Sequence, residues 1–375
     1  MRDRRISILV IVNAVFGYDG ISNVATNYYK YQDKTQVRMD MVTINPIPEV
    51  LRLEIEKDGN HSFVIAGRNR NPVMYILSLA SIIKKNRYDI VYVHGNSATM
   101  AVELFAAVLG GCKVRVAHSH NTQCDHQKIH RLLMPVFSRL YTDCCACSVE
   151  AGQFLFGKKK CYVVNNGLYL PKYMFNQKIR DLIREKYNLD DKIVIGHIGR
   201  FAYQKNQEFL VEVLKATIEK GYNTALLLVG GGEMVDEIKQ KVREADLEDR
   251  TVFYGTTDRV NEVVQAMDCF VFPSRFEGLG IVALEAQASG LACVASEQVP
   301  KKMKVVEQTS FLSLDDQMDT WVNTIMKSVI LPNERVKSID EVKTLFENAG
   351  YDIEMNCTDM LSFYNRILEK RGKRI

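Results

Sequence analysis

No apolar run in this chain of 375 residues reaches the roughly 18 residues that a membrane-spanning helix needs. Low complexity is also missing: 47% of the residues are hydrophobic and 25% charged, the balance of an ordinary folded chain. The nine cysteines, an odd count, scatter over positions 112, 124, 144, 145, 147, 161, 269, 293 and 357. The cluster Cys144-Cys145-Ala146-Cys147 lacks a second half at metal-ligand spacing, which argues against a zinc module. In a strand Cys145 and Cys147 would share one face and Cys144 the other, so the cluster reads as small buried residues. Free thiols fit a reducing cytosol. No small-x-small cleavage site follows Arg2, Arg4, Arg5 and the apolar stretch Ile6 to Val12. That stretch has the outline of a short signal peptide but reads as a first buried strand, interrupted by Asn13 and followed by the loop Gly17-Tyr18-Asp19-Gly20.

What is present is a repeated alternation of short apolar strands with longer amphipathic stretches, the pattern of parallel sheets covered by helices. The strands expected in the first half are 6–12, 37–44, 63–66, 90–94, 114–118, 144–148 and 162–164. Those expected in the second half are 193–199, 224–229, 251–254, 269–272 and 292–295. Residues 298–312 resist placement. A turn at Asn165-Asn166-Gly167, with Pro171 beyond it, marks the break between halves. From 355 onward Met360, Leu361, Tyr364, Ile367 and Leu368 recur at helical spacing. The reading is therefore an α/β chain of two Rossmann-like domains, residues 1–168 and 169–354, with a closing helix at 355–375. Two such domains create a cleft between facing strand C-ends, where open α/β sheets bind ligands.

Charge divides unevenly. Residues 1–170 hold 21 Lys and Arg against 13 Asp and Glu, a balance of +8, whereas residues 171–375 hold 28 against 32, a balance of −4. An anionic partner for the first half and a chance distribution of solvated charge both account for this.

The segment Phe272 to Glu285 carries the most chemistry. A strand ends, a loop passes through Glu277, and a helix begins near Gly280. Glycines let backbone N–H groups approach an anion at a helix N-terminus. Glu285 lies about 7.5 Å along that helix, at about 1.5 Å per residue. An acid there is repelled by phosphates but suits the two hydroxyls of a ribose. Glu277, before the helix, suits the opposite end of a diphosphate, where a hexose would lie. Gly278, Gly280 and Ala283 also satisfy Gly-x-Gly-x-x-Ala, a dinucleotide fingerprint. In that fold the first glycine follows its strand almost at once, whereas Pro273 to Glu277 intervene here. Upstream, Gly199-Arg200 ends a strand and Lys205-Asn206 opens a helix. These two cations can converge on the same diphosphate and neutralise charge developing on it.

Glu277-x7-Glu285 with Gly-Arg-x4-Lys-Asn upstream resembles the retaining glycosyltransferases of family 4, which have the GT-B fold. The segment Val114-Arg115-Val116-Ala117-His118-Ser119-His120-Asn121-Thr122 resembles the branch acting in bacterial capsule and exopolysaccharide assembly. The resemblance covers nearly the whole chain and implies a hexosyltransferase that moves a sugar from a nucleotide diphosphate, UDP foremost, to a glycan or lipid-linked acceptor. It implies that Glu285 holds the ribose, Glu277 the transferred sugar, and Arg200 and Lys205 the diphosphate, with amides of Leu279 and Gly280 beside the Gly278 turn. Gly20 would permit close approach of donor and acceptor. His118 would contact the donor sugar near the reacting carbon, with His94, His120 and Asn121 as acceptor-side candidates. The closing helix would pack back on the first domain. The first loop and the Asn165-Asn166-Gly167 junction depart from the family's usual Gly-Gly and Pro-Asn-Gly.

No Asp-x-Asp triplet occurs, so the pair of acids that metal-dependent sugar transferases use to hold a divalent ion is missing. Arg200, Lys205 and the helix N-terminus are expected in that role, with no metal, no cofactor and no nucleic acid partner. An NAD-dependent oxidoreductase and a non-catalytic sugar-nucleotide binder are the competing readings. A lipid-linked acceptor would place the chain in the cytoplasm, at times at the inner face of the plasma membrane. Lys128 to Tyr141 offers Ile129, Leu132, Leu133, Val136, Phe137 and Leu140 on one broad helical face beside Lys128, Arg131 and Arg139, with a kink expected at Pro135. An interfacial helix and a helix packed on the sheet are both open readings of it.

Overall fold

The computed structural model describes residues 5–17, 20–124, 127–337 and 339–372. Arg2, Arg4, Tyr18 and Asp19 of the sequence reading lie outside the described residues. Contacts divide the chain into two compact units, residues 1–168 with 350–375, and residues 169–349. The return to the first unit thus comes at Gly350, before the closing helix Ile353–Glu369 begins.

The first unit holds β1 (Ile6–Val12), β2 (Val37–Thr43), β3 (Ser62–Val64), β4 (Ile90–Gly95), β5 (Val114–Ser119), β6 (Asp143–Ala146) and β7 (Tyr162–Val163). Among the described residues they form one sheet in the order β3-β2-β1-β4-β5-β6-β7, and every pairing is parallel. The signal-peptide-like stretch is β1, one of the central strands, which explains its unbroken apolarity. Side chains alternate across the sheet. Leu9, Ile11, Val91, Val93, Ala117 and Cys144 pack with the helices Pro72–Asn86, Ala101–Leu109 and Gln127–Leu140. Val10, Tyr92, His94 and His118 face the other way, toward Tyr28 of the helix Gly20–Tyr31 and Met360 and Tyr364 of the closing helix. The closing helix therefore belongs to the first sheet's packing: Tyr364 meets Tyr92 edge-on and Phe363 stacks on Tyr162.

The second unit holds β8 (Ile193–Ile198), β9 (Thr224–Val229), β10 (Thr251–Gly255), β11 (Cys269–Phe272), β12 (Cys293–Ser296) and β13 (Thr309–Leu312). Their order is β10-β9-β8-β11-β12-β13, again all parallel. β13 is the element that the unplaced stretch conceals. It is a short edge strand, Thr-Ser-Phe-Leu, whose mixed polarity carries no strong period. Asp268, just before β11, is buried and bonded to Arg180 and Arg184, which fastens the helix Gln177–Lys186 to the sheet.

One expectation fails. Cys144 and Cys161 form a disulfide, their Cα atoms 5.0 Å apart on neighbouring strand segments, and the other seven cysteines are free. The two lie at a sequence separation of 17, so the proximity that β6–β7 pairing creates was invisible. The expectation of free thiols is corrected, and the support it lent to a reducing compartment is reduced. No described helix is long and apolar enough to cross a membrane.

Candidate functional site

The order of the second sheet decides where a ligand goes. From β8 the chain adds strands outward on one side through β9 and β10, then crosses to β11 on the other side. The loops after β8 and β11 diverge at this switch point, which is where open α/β sheets bind ligands.

The two loops are laced together. The backbone N–H of Arg275 donates to the Gln204 carbonyl, the Gln204 amide donates to the Phe276 carbonyl, and the Asn206 amide donates to the Pro273 carbonyl. Asn206 adopts φ 57° as it caps the helix Gln207–Glu219, which turns the chain sharply after Lys205. Gly280 adopts φ 84° as it caps the helix Ile281–Ala288, and a Cβ there would crowd the Phe272 ring. A glycine is therefore required where the strand-to-helix loop closes. Unpaired N–H groups of the helix's first turn, with its positive dipole end, suit an anion.

Lys205 and Glu277 meet directly. The ammonium lies 2.6 Å from the carboxylate, with 16% and 8% of the two side chains exposed. The family resemblance implies separate duties for them, one on the diphosphate and one on the sugar. The structure joins them in one nearly buried ion pair, in which removing either partner leaves the other uncompensated. Arg200 differs: its side chain is 74% exposed and its partner Glu233, 3.0 Å away, is also exposed. Such a pair contributes little, so Arg200 is free to turn toward an incoming anion.

Glu285 sits in the helix behind Gly280, and the Tyr173 hydroxyl donates to its carboxyl at 2.7 Å. Burial pushes its pKa up to about 7, against the smaller opposing effects of Tyr173 and Lys172. Leu279 is half-buried and Gly278 exposed within the same loop.

Sequence reasoning missed three contributors. Tyr173, far away in the chain, left no signal. Glu233, which holds Arg200, follows a run of three glycines after β9 that could have been noticed. Within that run Gly230 has φ 137°, and a Cβ there would strike the Gly199 carbonyl, so the run brings a third strand end against Arg200.

In the first unit, His94 and His118 lie opposite each other on β4 and β5, and His120 follows just beyond β5. Their rings gather within 4.0–5.1 Å, centroid to centroid. His94 Nδ1 and His120 Nε2 share a hydrogen bond of 2.8 Å, and Tyr92 Oη and His118 Nδ1 share one of 2.9 Å. Burial, reinforced by the neighbouring rings, holds His94 and His118 well below the usual imidazole pKa, and burial lowers His120 to about 3. All three are neutral at pH 7. Asn121 is exposed beyond them, and its side chain accepts from the Thr122 N–H. Gly20 opens the helix Gly20–Tyr31, and a Cβ there would meet nothing within 4 Å, so the protein itself does not demand glycine at that position.

Two doubly wound parallel sheets, one ending in paired acids, cations and a glycine-capped helix, define the class of GT-B sugar transferases. The chain belongs to the family of glycosyl transferases group 1, whose model matches residues 179–344. It is 32% identical to the putative glycosyltransferase EpsF of Bacillus subtilis over 370 residues, 95% of each chain. It is 26% identical over 309 residues to the UDP-Gal:alpha-D-GlcNAc-diphosphoundecaprenol alpha-1,3-galactosyltransferase of Escherichia coli, covering 72% of this chain and 78% of the relative. Among solved structures, Anabaena HepE in complex with UDP superimposes with a TM-score of 0.74 at 17% identity, covering 96% of this chain and 99% of the other. The protein is a glycosyltransferase, and the oxidoreductase reading is not favoured. The long loop between Phe272 and the helix cap at Gly280 is also unlike the tight turn of a dinucleotide fingerprint.

Proposed function

We propose that this enzyme is a retaining, metal-independent hexosyltransferase of family 4. It transfers a sugar from a UDP-sugar to a lipid-linked or glycan acceptor in cell-surface polysaccharide synthesis. The observation that carries this is the convergence of Arg200, the Lys205–Glu277 pair, the glycine-capped helix and the Glu285–Tyr173 pair around the β8/β11 switch point. Further support comes from HepE, solved with UDP and with UDP-glucose, and from the UDP-Gal and diphosphoundecaprenol in the name of the Escherichia coli relative.

In this reading Glu285 holds the ribose hydroxyls while the helix N-terminus, Leu279 and Gly280 amides, Arg200 and Lys205 hold the diphosphate. Glu277, kept in place by Lys205, receives the sugar's hydroxyls. The bond between the anomeric carbon and the β-phosphate oxygen breaks, and these cations stabilise the negative charge that the departing diphosphate gains. The acceptor hydroxyl attacks from the same face and forms the new carbon–oxygen bond. Its proton passes to the departing phosphate oxygen, and configuration is retained. The first unit, with His118 toward the sugar and His94, His120 and Asn121 on the acceptor side, receives the acceptor. A cytoplasmic enzyme at the inner face of the membrane fits such an acceptor.

The test is turnover of UDP-sugars, followed as UDP release, with and without excess chelator. Turnover survives the chelator, and Arg200→Ala or Lys205→Ala lowers it by on the order of 100-fold, the scale for losing one preorganised charge stabiliser. Complete loss in chelator with restoration by manganese would overturn the reading.

A further inference from the structure

The histidine cluster of the first unit has a capacity that sugar transfer does not use. Among the described residues it is the single group of three or more His, Cys or acidic side chains arranged as a cation could bind them. One ligand nitrogen from each of His94, His118 and His120 lies within 4.8 Å of the other two. The backbone fixes this arrangement. His94 and His118 are register partners on adjacent strands, and His120 falls on the same side two residues beyond His118.

The donor set is specific in its chemistry. Three imidazoles with no carboxylate suit zinc, copper, nickel or cobalt rather than magnesium or calcium. Zinc–nitrogen bonds of about 2.0–2.1 Å place tetrahedral ligand nitrogens about 3.3 Å apart. His94 Nδ1 and His120 Nε2, at 2.8 Å, are already nearer than that and need only open slightly. The ion would replace the proton they share, which moves to the other nitrogen of its own ring.

The third nitrogen points to a ligand independently. His118 Nε2 is buried and has no hydrogen-bond partner, an unusual state for a polar atom inside a protein. Its other nitrogen is engaged by Tyr92 Oη, and Tyr92 is itself buried. When Nδ1–H donates to that oxygen, the tautomer is set and the Nε2 lone pair is left for an electrophile. An outer partner that orients a ligating imidazole in this way is the usual support of a metal histidine.

We propose that His94, His118 and His120 form a binding site for a divalent transition-metal ion of the zinc class, and that its occupation withdraws His118 from the sugar and inhibits transfer. Three protein ligands leave a fourth position for water. The site belongs to the first unit, and the residues assigned to the diphosphate belong to the second. Metal-independent chemistry and metal inhibition are therefore compatible.

Chelator-treated, dialysed protein is titrated with zinc chloride by calorimetry, and with cobalt chloride while the visible spectrum is recorded. The expected result is one zinc per chain and an intense cobalt spectrum of tetrahedral type. His120→Asn, at a half-buried position beyond the strand, weakens binding at least about 10-fold. His94→Asn does the same, and melting curves in chelator confirm that each variant is folded. Absence of saturable one-to-one binding, or unchanged affinity in the folded variants, overturns the site. Inhibition is read separately as UDP-sugar turnover, and this arm alone rests on the proposed function. Saturating zinc lowers turnover, and chelator restores it. Binding without inhibition would refute the withdrawal of His118 while leaving the transferase reading intact. A chain that turns over no UDP-sugar would overturn the proposed UDP-sugar donor, while the metal titration still decides the site.

Discussion

At the scale of single residues, Glu285 makes the sharpest demand. Its folded-state pKa of about 7 stands above the ordinary carboxyl value of 4.5, with burial as the main cause. In the free protein its contribution to stability is fully present below about pH 4.5 and is lost as pH rises through about 7. Ribose binding runs the other way, because two hydroxyls donate best to a carboxylate. UDP-glucose, whose diphosphate does not titrate in this range, should bind about 10-fold more tightly at pH 8 than at pH 6, the ratio of ionised carboxyl at those two values. Glu285→Gln should remove that dependence in calorimetry and flatten the fall in melting temperature between pH 4.5 and 7. A wild-type affinity indifferent to pH would mean that Glu285 does not meet the ribose as an ion. Both acids were legible from their spacing across the loop and helix. Tyr173 was not, because a hydrogen-bond partner 112 residues away leaves no periodic trace. The Lys205–Glu277 pair was half legible: each residue stood out, but their contact depends on loop lacing that only the folded chain displays.

At the scale of elements, strands were the most readable objects, since buried parallel strands announce themselves as short apolar runs. β13 escaped because it is an edge strand with polar residues, and the disulfide escaped because it follows from pairing rather than from order. The helix Gln127–Leu140 shows how an amphipathic face can be divided. It continues through Pro135, and Phe137 is buried with Leu133 and Leu140 against the core. Ile129, Leu132 and Val136 instead remain exposed, the last two at 77% and 50%. Val73, Met74 and Leu77 on one neighbouring helix and Phe105, Val108 and Leu109 on another are exposed as well. The broad face expected from the sequence is thus two faces, one packed on the sheet and one bare, and both readings of the helix have a share of it. Lys128, Arg131 and Arg139 accompany the bare face, so binding to an anionic bilayer follows as a proposal, with about 1 kcal/mol from each cation near the surface and screening by salt. Co-sedimentation with anionic vesicles should exceed that with neutral ones, fall at high salt, and fall again when the three cations become glutamine. Equal pelleting with both lipids would leave the bare face without this role.

At the scale of the whole molecule, two parallel sheets were legible because the alternation of strand and helix repeats with little interruption, and a break near Asn165 divides it. A closing helix was legible from the stripe of Met360, Tyr364 and Ile367, whereas its return to the first sheet was implied by the family resemblance and not by the periodicity. What order alone could not provide was the adjacency of β8 and β11, which turns two distant loops into one site. The central claim is that this site holds a nucleoside diphosphate by Glu285 while Glu277 serves the sugar. The most direct measurement is calorimetric titration of UDP into the wild type, Glu285→Ala and Glu277→Ala. Loss of a charged hydrogen-bond partner of about 1.5–3 kcal/mol predicts affinity roughly 10- to 150-fold weaker in Glu285→Ala, and a much smaller change in Glu277→Ala. Equal affinity in all three proteins would contradict the account.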